Sequence, residues 1–246
     1  MKKLSVVIPA YNEEKTIEKG SLQEVWNFLS KQKFNWEIIV VDDASTDKTR
    51  YLSQAFAKNH KNTVVLAEPH RGKGGSVIAG MLKAAGDIIL FCDMDQATPI
   101  NQIEKLLPKF KEADIAIGSR SGREGAPLVR KAMAYGFSLL RTIVLRLPFK
   151  DTQCGFKAFK KEAAKNIFKK MQVVNEKILK GGASVSAGFD LEVLYLARKL
   201  GYKVAEVPVE WHHKETERIN PIKDSYEGLR DLLKVRLNAL LGKYRV

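Results

Sequence analysis

Asp93 and Asp95 stand one residue apart at the end of an apolar run, "DIILFCDMDQATP". In an extended chain residues i and i+2 point to the same side, which brings the two carboxylates close together. Like charges so placed repel unless something positive sits between them, and a divalent cation takes oxygen ligands. The pair is therefore either a cation site or a solvated strand-to-loop corner, where aspartate is also common. Other chemistry-bearing residues follow similar runs. Asp42 and Asp43 close "WEIIVVDDAST", and Tyr11 and Glu13 follow "LSVVIPA". Lys73, within the glycine-rich "HRGKGGS", is free in sequence terms to meet a diphosphate. That stretch has neither the G-x-x-x-x-G-K-[ST] nor the G-x-G-x-x-G spacing, which disfavours a P-loop or a dinucleotide fold.

The elements that must position these groups alternate. "LSVVIPA", "WEIIVVDD", "NTVVLAE", "DIILFCD" and "DIAIGSR" read as short apolar strands. Between them lie helical patterns: "EEKTIEKGSLQEVWNFLSKQ" despite Gly20, "DKTRYLSQAFAKNH" with Ser45, Thr46 and Asp47 as capping groups, "GKGGSVIAGMLKAAG", and "INQIEKLLPKFKEA". This order predicts an α/β fold with a mostly parallel, Rossmann-like sheet flanked by helices. Ligands of such sheets gather beyond the carboxyl ends of the strands. Pro9–Glu13, Asp42–Asp43, His70–Lys73 and Asp93–Asp95 all lie there, so the chemistry shares one edge.

After Arg120 the character changes. Leu128–Lys150 carries five basic residues and no acidic one, and either packs on the core or lies in a membrane interface. A helix is expected from about Lys161 to Met171, another after "NEKILKGGASVSAG", and a last strand at "YKVAEVPVEW". We read residues 1–225 as one catalytic domain. The stretch 226–246 reads as an amphipathic basic helix, packed on that domain or facing a membrane, the C-terminal elaboration of the fold.

At 246 residues the chain can bury one large core. A formal charge of +14 calls for an anionic partner: nucleic acid, nucleotide phosphates or an acidic membrane. No recognised module concentrates that charge, and a carboxylate-rich edge repels phosphates without a metal, so no nucleic-acid partner is expected. Two cysteines make no disulfide framework and fit a reducing compartment. Cys154 reads as a packed thiol rather than a nucleophile. With no run of about 18 apolar residues, no spanning helix is expected. The expected address is the cytosol.

"SVVIPAYNEEKTI", "EIIVVDDASTDKT", "GKGGSVIAGMLKAAGDIILFCDMD" and "AIGSR" together resemble family 2 glycosyltransferases of the GT-A fold. "DTQCGFKAFKKEAA", "FDLEVLYLARKLGYKVAEVPVEW" and the arginine-rich stretch narrow the resemblance to the polyprenyl-phosphate branch. That branch holds the dolichol-phosphate mannose synthases and the dolichyl-phosphate β-glucosyltransferases. The resemblance implies that Pro9, Tyr11, Glu13 and Asp42 hold the nucleoside. Asp93 and Asp95, with Met94 between, match the D-x-D pair that binds a sugar diphosphate through Mg²⁺ or Mn²⁺. Where the mannose synthases carry a glutamine, two residues after the second aspartate, this chain has Ala97. Gln96, one position early, is the candidate further metal ligand. Arg120 and Arg130 match arginines that grip the acceptor phosphate, a task suited to a bidentate, permanently charged guanidinium. Lys214 and Arg218, in "HHKETERI", match a basic loop of the family less closely.

The implied activity is inverting, metal-dependent transfer of a hexose from UDP-glucose or GDP-mannose to a polyprenyl or dolichyl phosphate, with Asp95, Arg120 and Arg130 at the reacting groups. "DTQCGFK" and "DMDQATP" favour UDP-glucose. A phosphate monoester is already anionic near neutral pH and needs no strong general base. A hydroxyl acceptor, such as a growing polysaccharide, would need one, and Asp190 or Glu192 is then the candidate catalytic carboxylate. The third alternative is a nucleotide-binding module without turnover. The enzyme is expected at the cytoplasmic face of the membrane, either peripheral or leaning on an integral membrane partner. His212 and His213 are adjacent, a poor metal pair.

Overall fold

The computed structural model describes residues 2–120, 128–173, 187–212 and 221–244, with the side chains of 128–135, 137, 187 and 221–225 outside it. The β-branched runs form β1 (Lys3–Ala10), β2 (Asn35–Asp42), β3 (Thr63–Ala67), β4 (Ile88–Phe91), β5 (Ile115–Arg120), β6 (Lys157–Lys160) and β7 (Val204–Val209). They make one sheet in the order β3-β2-β1-β4-β6-β5-β7. All pairings are parallel except those of β6, which runs against both β4 and β5.

Strand periodicity splits the core in two. Leu4, Val6 and Ile8 of β1 face one layer with Leu22, Val25 and Leu29 of α2 (Ser21–Ser30) and Ile103 and Leu106 of α5 (Ile103–Leu106). Val7 faces the other layer, with Val77 and Met81 of α4 (Gly72–Lys83), Ile167 and Phe168 of α7 (Lys161–Lys169), and Leu191 and Leu194 of α8 (Ala187–Lys199). This is the α/β, mostly parallel, two-faced sheet expected from the alternation of runs.

Three local departures have plain causes. Gly20 adopts φ +89°, a left-handed conformation, and divides the predicted first helix into α1 (Glu14–Glu18) and α2. Pro108 lacks the N–H that a helix interior needs, so the predicted helix over 100–113 is the single turn α5 between 3₁₀ turns. Sequence reading assigns no element to "GFKAF", yet it supplies β6. α3 (Thr49–Asn59) forms where its helical pattern stands, and the basic stretch after residue 128, to which sequence reading gives no element type, supplies the helix α6 (Leu128–Leu145).

The C-terminal helix α9 spans Pro221–Leu240, starting before residue 226, and packs on α8 and α6. Leu232, Val235 and Tyr244 are buried in the core, so the tail belongs to the folded body. The same helix exposes Tyr226, Leu229, Leu233, Leu237 and Leu240, and α6 exposes Leu139, Leu140 and Ile143. No helix among the described residues is long and apolar enough to cross a membrane.

Gly80 lets α4 lie directly on the sheet: a Cβ there would meet Val7 Cγ1 at 2.3 Å and Val41 Cγ2 at 3.0 Å. Alanine gains up to about 1 kcal/mol of helix propensity. Overpacking against two β-branched strand residues costs roughly 1–3 kcal/mol and wins. Gly80→Ala is expected to lower the urea midpoint without changing the slope.

Candidate active site

The sheet order reverses between β1 and β4, since β2 and β3 lie on one side and β6, β5 and β7 on the other. Crevices at such switch points are where open α/β sheets bind ligands. The loop after β1 carries Tyr11 and Glu13, and the loop after β4 carries Asp93 and Asp95, so both sets meet at this crevice.

On the β2 side the rim is stitched by short polar contacts. Asn12, at φ +54°, accepts from Thr46 N–H at 2.9 Å, and its own N–H donates to Ser45 Oγ at 3.1 Å. Glu13 N–H donates to Thr49 Oγ1 at 2.6 Å, while its carboxylate accepts from Thr16 Oγ1 at 2.7 Å. Pro9 lies within β1 opposite Val41. Asp42 is fully buried, and Arg50 Nε donates to its Oδ2 at 2.7 Å. A nucleoside reaching Asp42 must therefore share that carboxylate with Arg50.

Asp43, to which sequence reading gives no role, anchors the next loop. Its carboxylate accepts from Arg71 N–H at 2.7 Å and Gly72 N–H at 2.8 Å, and His70 Nδ1 lies 2.9 Å away. The His70 ring stacks on Tyr11 with centroids 4.3 Å apart. Gly72 takes φ +73°, and the turn delivers Lys73 in the first turn of α4. Lys73 Nζ then lies 2.5 Å from Asp93 Oδ1. Partial burial would lower the Lys73 pKa, but the charges of Asp93, Asp190 and Asp95 overcome it and hold it above the ordinary lysine value.

Asp95 Oδ1 accepts from Ala97 N–H at 2.9 Å. Met94 alternates away from its neighbours, and its side chain is buried, with Ser21 Oγ 3.5 Å from the sulfur. It is a packing group rather than part of the rim. Gln96, at φ +51°, turns inward: Nε2 donates to Asp93 O at 2.8 Å, and Oε1 is buried with no hydrogen-bond partner.

Antiparallel β6 completes the site. Its register sets Phe91 opposite Lys157, which carries Gly155 to Asp93. A Cβ on Gly155 would lie 2.1 Å from Asp93 Oδ2, so only glycine allows this approach. Lys157 is 0% exposed; Nζ donates to Asp190 Oδ1 and to Cys154 O, each at 2.5 Å, and stands 5.4 Å from the Phe91 ring centroid. A buried ammonium needs such partners. Its signal in sequence is a lone lysine in the apolar string "GFKAF". Glu192, the other carboxylate of "FDLEV", is buried and accepts from Gln172 N–H, Val173 N–H and Tyr244 Oη, which makes it an internal anchor.

At the β5 exit Arg120 Nε and Nη2 donate to Asp151 at 2.6 and 2.9 Å, and its guanidinium stands 5.6 Å from the Trp211 ring centroid. Glu206 accepts from the N–H groups of Lys150 and Asp151, and Arg141 Nη1 donates to Thr152 Oγ1, so the loop bearing Asp151 is held from both sides. Burial would raise the Asp151 carboxyl, but the Arg120 hydrogen bonds and charge hold it at about 2. The buried thiols are suppressed: burial pushes Cys92 to about 12 and Cys154 upward. The Arg130 side chain, His213, Lys214 and Arg218 lie outside the described residues. His212 is exposed, its N–H donating to Ala97 O at 2.8 Å.

The model of the family "Glycosyl transferase family 2" matches residues 5–168. The chain belongs to that family. Among curated relatives, the dolichyl-phosphate beta-glucosyltransferase of Dictyostelium discoideum is 32% identical, covering 99% of this chain and 76% of the relative. One from Trichomonas vaginalis is 35% identical with the same coverage, 99% and 76%. Among solved structures, glucosyl-3-phosphoglycerate synthase from Mycobacterium tuberculosis, in complex with Mn²⁺, UDP and glucosyl-3-phosphoglycerate, has a TM-score of 0.65 at 19% identity. It covers 95% of this chain and 80% of that one, and shares the fold.

For a family 2 glycosyltransferase the donor set is informative. Among the described residues no three His, Cys, Asp or Glu side chains form a metal cage. Two carboxylates at one strand exit, the buried Gln96 oxygen and a glycine cradle under Asp93 suit a hard cation whose remaining ligands come from phosphate oxygens or water.

Asp151 yields an acid-stability prediction. Its folded pKa of about 2 lies below the ordinary 3.8, so its contribution is complete above the ordinary value and is lost as pH falls through about 2. Asp151→Asn should therefore destabilise the protein by about 2 kcal/mol at pH 7. The gap from wild type should close between about pH 4 and pH 2, read by urea titration at each pH.

Proposed function

We propose that this chain transfers glucose from UDP-glucose to the phosphate of a dolichyl or other polyprenyl lipid, with inversion, using Mg²⁺ or Mn²⁺. The observation that carries it is the convergence of Asp93 and Asp95 with Lys73 at the sheet's switch point, opposite Tyr11 and Glu13. The named function of the relatives, over nearly the full chain, supports glucose and dolichyl phosphate.

Asp93 and Asp95 would hold the cation, with Gln96 Oε1 as the further candidate donor. Bound there, the metal neutralises the departing nucleoside diphosphate as a Lewis acid. Lys73 adds positive charge on the same side. Tyr11, already stacked on His70, offers an aromatic face to the base, and Pro9, Glu13 and Asp42 line that end. Arg120, with Nε and Nη2 fixed by Asp151, keeps its Nη1 amino group outside the pair, and that group is proposed to donate to the acceptor phosphate. Arg130, Lys214 and Arg218 are proposed beside it.

Asp190 Oδ1 accepts from the sealed Lys157 ammonium at 2.5 Å, which fixes the position of that carboxylate. An acceptor arriving as a phosphate monoester is already anionic, and its oxygen attacks opposite the diphosphate without a strong general base.

The lipid acceptor gives a role to the exposed apolar stripe of α9, Leu229, Leu233, Leu237 and Leu240, spaced three or four apart, and to Leu139 and Ile143 of α6. With Arg230 and Arg236 exposed nearby and a net charge of +14, these helices suit the headgroup layer of an anionic membrane. The enzyme would work there at the cytoplasmic face, alone or beside an integral membrane partner.

Purified protein incubated with a short polyprenyl phosphate and Mn²⁺ should give a glucolipid and UDP from UDP-glucose, and little or no mannolipid from GDP-mannose. Asp95→Ala should lower that rate at least about 100-fold, as loss of a metal ligand does. Turnover retained in Asp95→Ala, or with EDTA, would refute the metal role. Vesicles containing phosphatidylserine should pellet the wild type, less so as salt rises, and Leu233→Glu with Leu237→Glu should stay in the supernatant. Equal pelleting of the two would remove the interfacial role of α9.

A further inference from the structure

Asp93 is paired through one oxygen: Oδ1 lies 2.5 Å from Lys73 Nζ, while Oδ2 faces Gly155, where an added Cβ would stand 2.1 Å away. A cation reaching this carboxylate through Oδ1 competes with an ammonium already in place. We propose that Lys73 is a resident counter-ion of the metal site, which must leave Asp93 for a divalent cation and then turns to the diphosphate, so that metal and nucleotide bind cooperatively through one side chain.

The turn that carries Lys73 is tied down by hydrogen bonds, while its ammonium sits on a flexible four-carbon stem. Asp43 ties Arg71 and Gly72 by their N–H groups, and Gly74 and Gly75 are buried on α4. The Lys73 side chain itself is 42% exposed and Asp93 35% exposed, so the ammonium can swing on its four-carbon stem without moving the helix. In the nucleotide-free protein the pair orients Asp93 and relieves its repulsion with Asp95. Metal alone must break the pair and leave the Lys73 ammonium beside a divalent cation that repels it. Metal with a diphosphate gives Lys73 a new anion, and the cost is recovered. By linkage the nucleotide must then tighten metal binding by the same factor as metal tightens nucleotide binding.

This rests on the metal-and-diphosphate reading above, and the experiment separates the two. Mn²⁺ binding to the full chain is read from the free-ion EPR signal, with and without UDP and with no acceptor or turnover. Wild type should bind Mn²⁺ weakly alone and about tenfold or more tighter with UDP. Lys73→Met should bind Mn²⁺ alone about threefold or more tighter than wild type, with a reduced UDP effect. Lys73→Arg should keep the wild-type pattern, as should Lys83→Met, which removes an exposed charge elsewhere on α4. Lys73→Gln replaces Lys73→Met if the latter does not fold. If the neutral variant binds Mn²⁺ alone no tighter than wild type, the counter-ion role is overturned while the metal site stands. If wild type binds no Mn²⁺ with or without UDP, the metal reading falls and this inference with it.

Discussion

Carboxylates that gather at one edge of a sheet repel one another, and the rest of this structure answers that repulsion. Asp42, Asp43, Asp93, Asp95 and Asp151 stand at strand exits or in the loops beside them, and Asp190 stands in the first turn of α8. Arg50, Lys73, Arg120 and Lys157 are each within 2.7 Å of one of them. Asp43 uses main-chain N–H groups instead, and so shapes the turn that delivers Lys73. The counter-charges differ in kind. Lys157 is sealed in the core and Arg120 is clamped, whereas Lys73 is half-exposed on a flexible four-carbon stem. Only such a group can exchange one anion for another without a large desolvation cost.

The antiparallel strand β6 is the mechanical means. An all-parallel sheet would deliver only strand ends to the rim. A reversed strand between β4 and β5 delivers a strand beginning, with Cys154, Gly155, Phe156 and Lys157 laid along Asp93 and Gly118. Gly155 closes on the carboxylate, and Lys157 reaches back to Asp190 on α8, coupling two helical layers to the proposed metal site. The preceding loop, pinned by Arg141 and Glu206, sets Asp151 against Arg120. One stretch, "DTQCGFK", thus organises both the donor and the proposed acceptor sides.

The C-terminal helix joins the same body from the other direction. Its inner ridge, Leu232 and Val235, is buried, and Tyr244 donates to Glu192, two residues along α8 from Asp190. Its outer leucines stay exposed. The surface of α9 proposed to meet lipid is therefore packed on the helix that carries Asp190, which joins the proposed membrane contact to the proposed site.

The strands of the first half, their shared edge and the Asp93–Asp95 pair were legible from sequence because they are local: period-two burial and i, i+2 geometry need no partner. Glycosyl transferase family 2 was legible for the same reason, since its motifs sit at consecutive strand ends. Breaks at Gly20 and Pro108 had local causes that an apolar pattern alone overrode in the reading. What no local pattern reveals is pairing across long separations. The reversed register of β6, the burial of Lys157 against Asp190, the work of Asp43, and the inward turn of Met94 and Gln96 arise only when strands far apart in the chain meet. A side chain's type sets which bonds it can make, while the partner it meets, and hence whether a lysine is sealed or free to swing, is decided by packing.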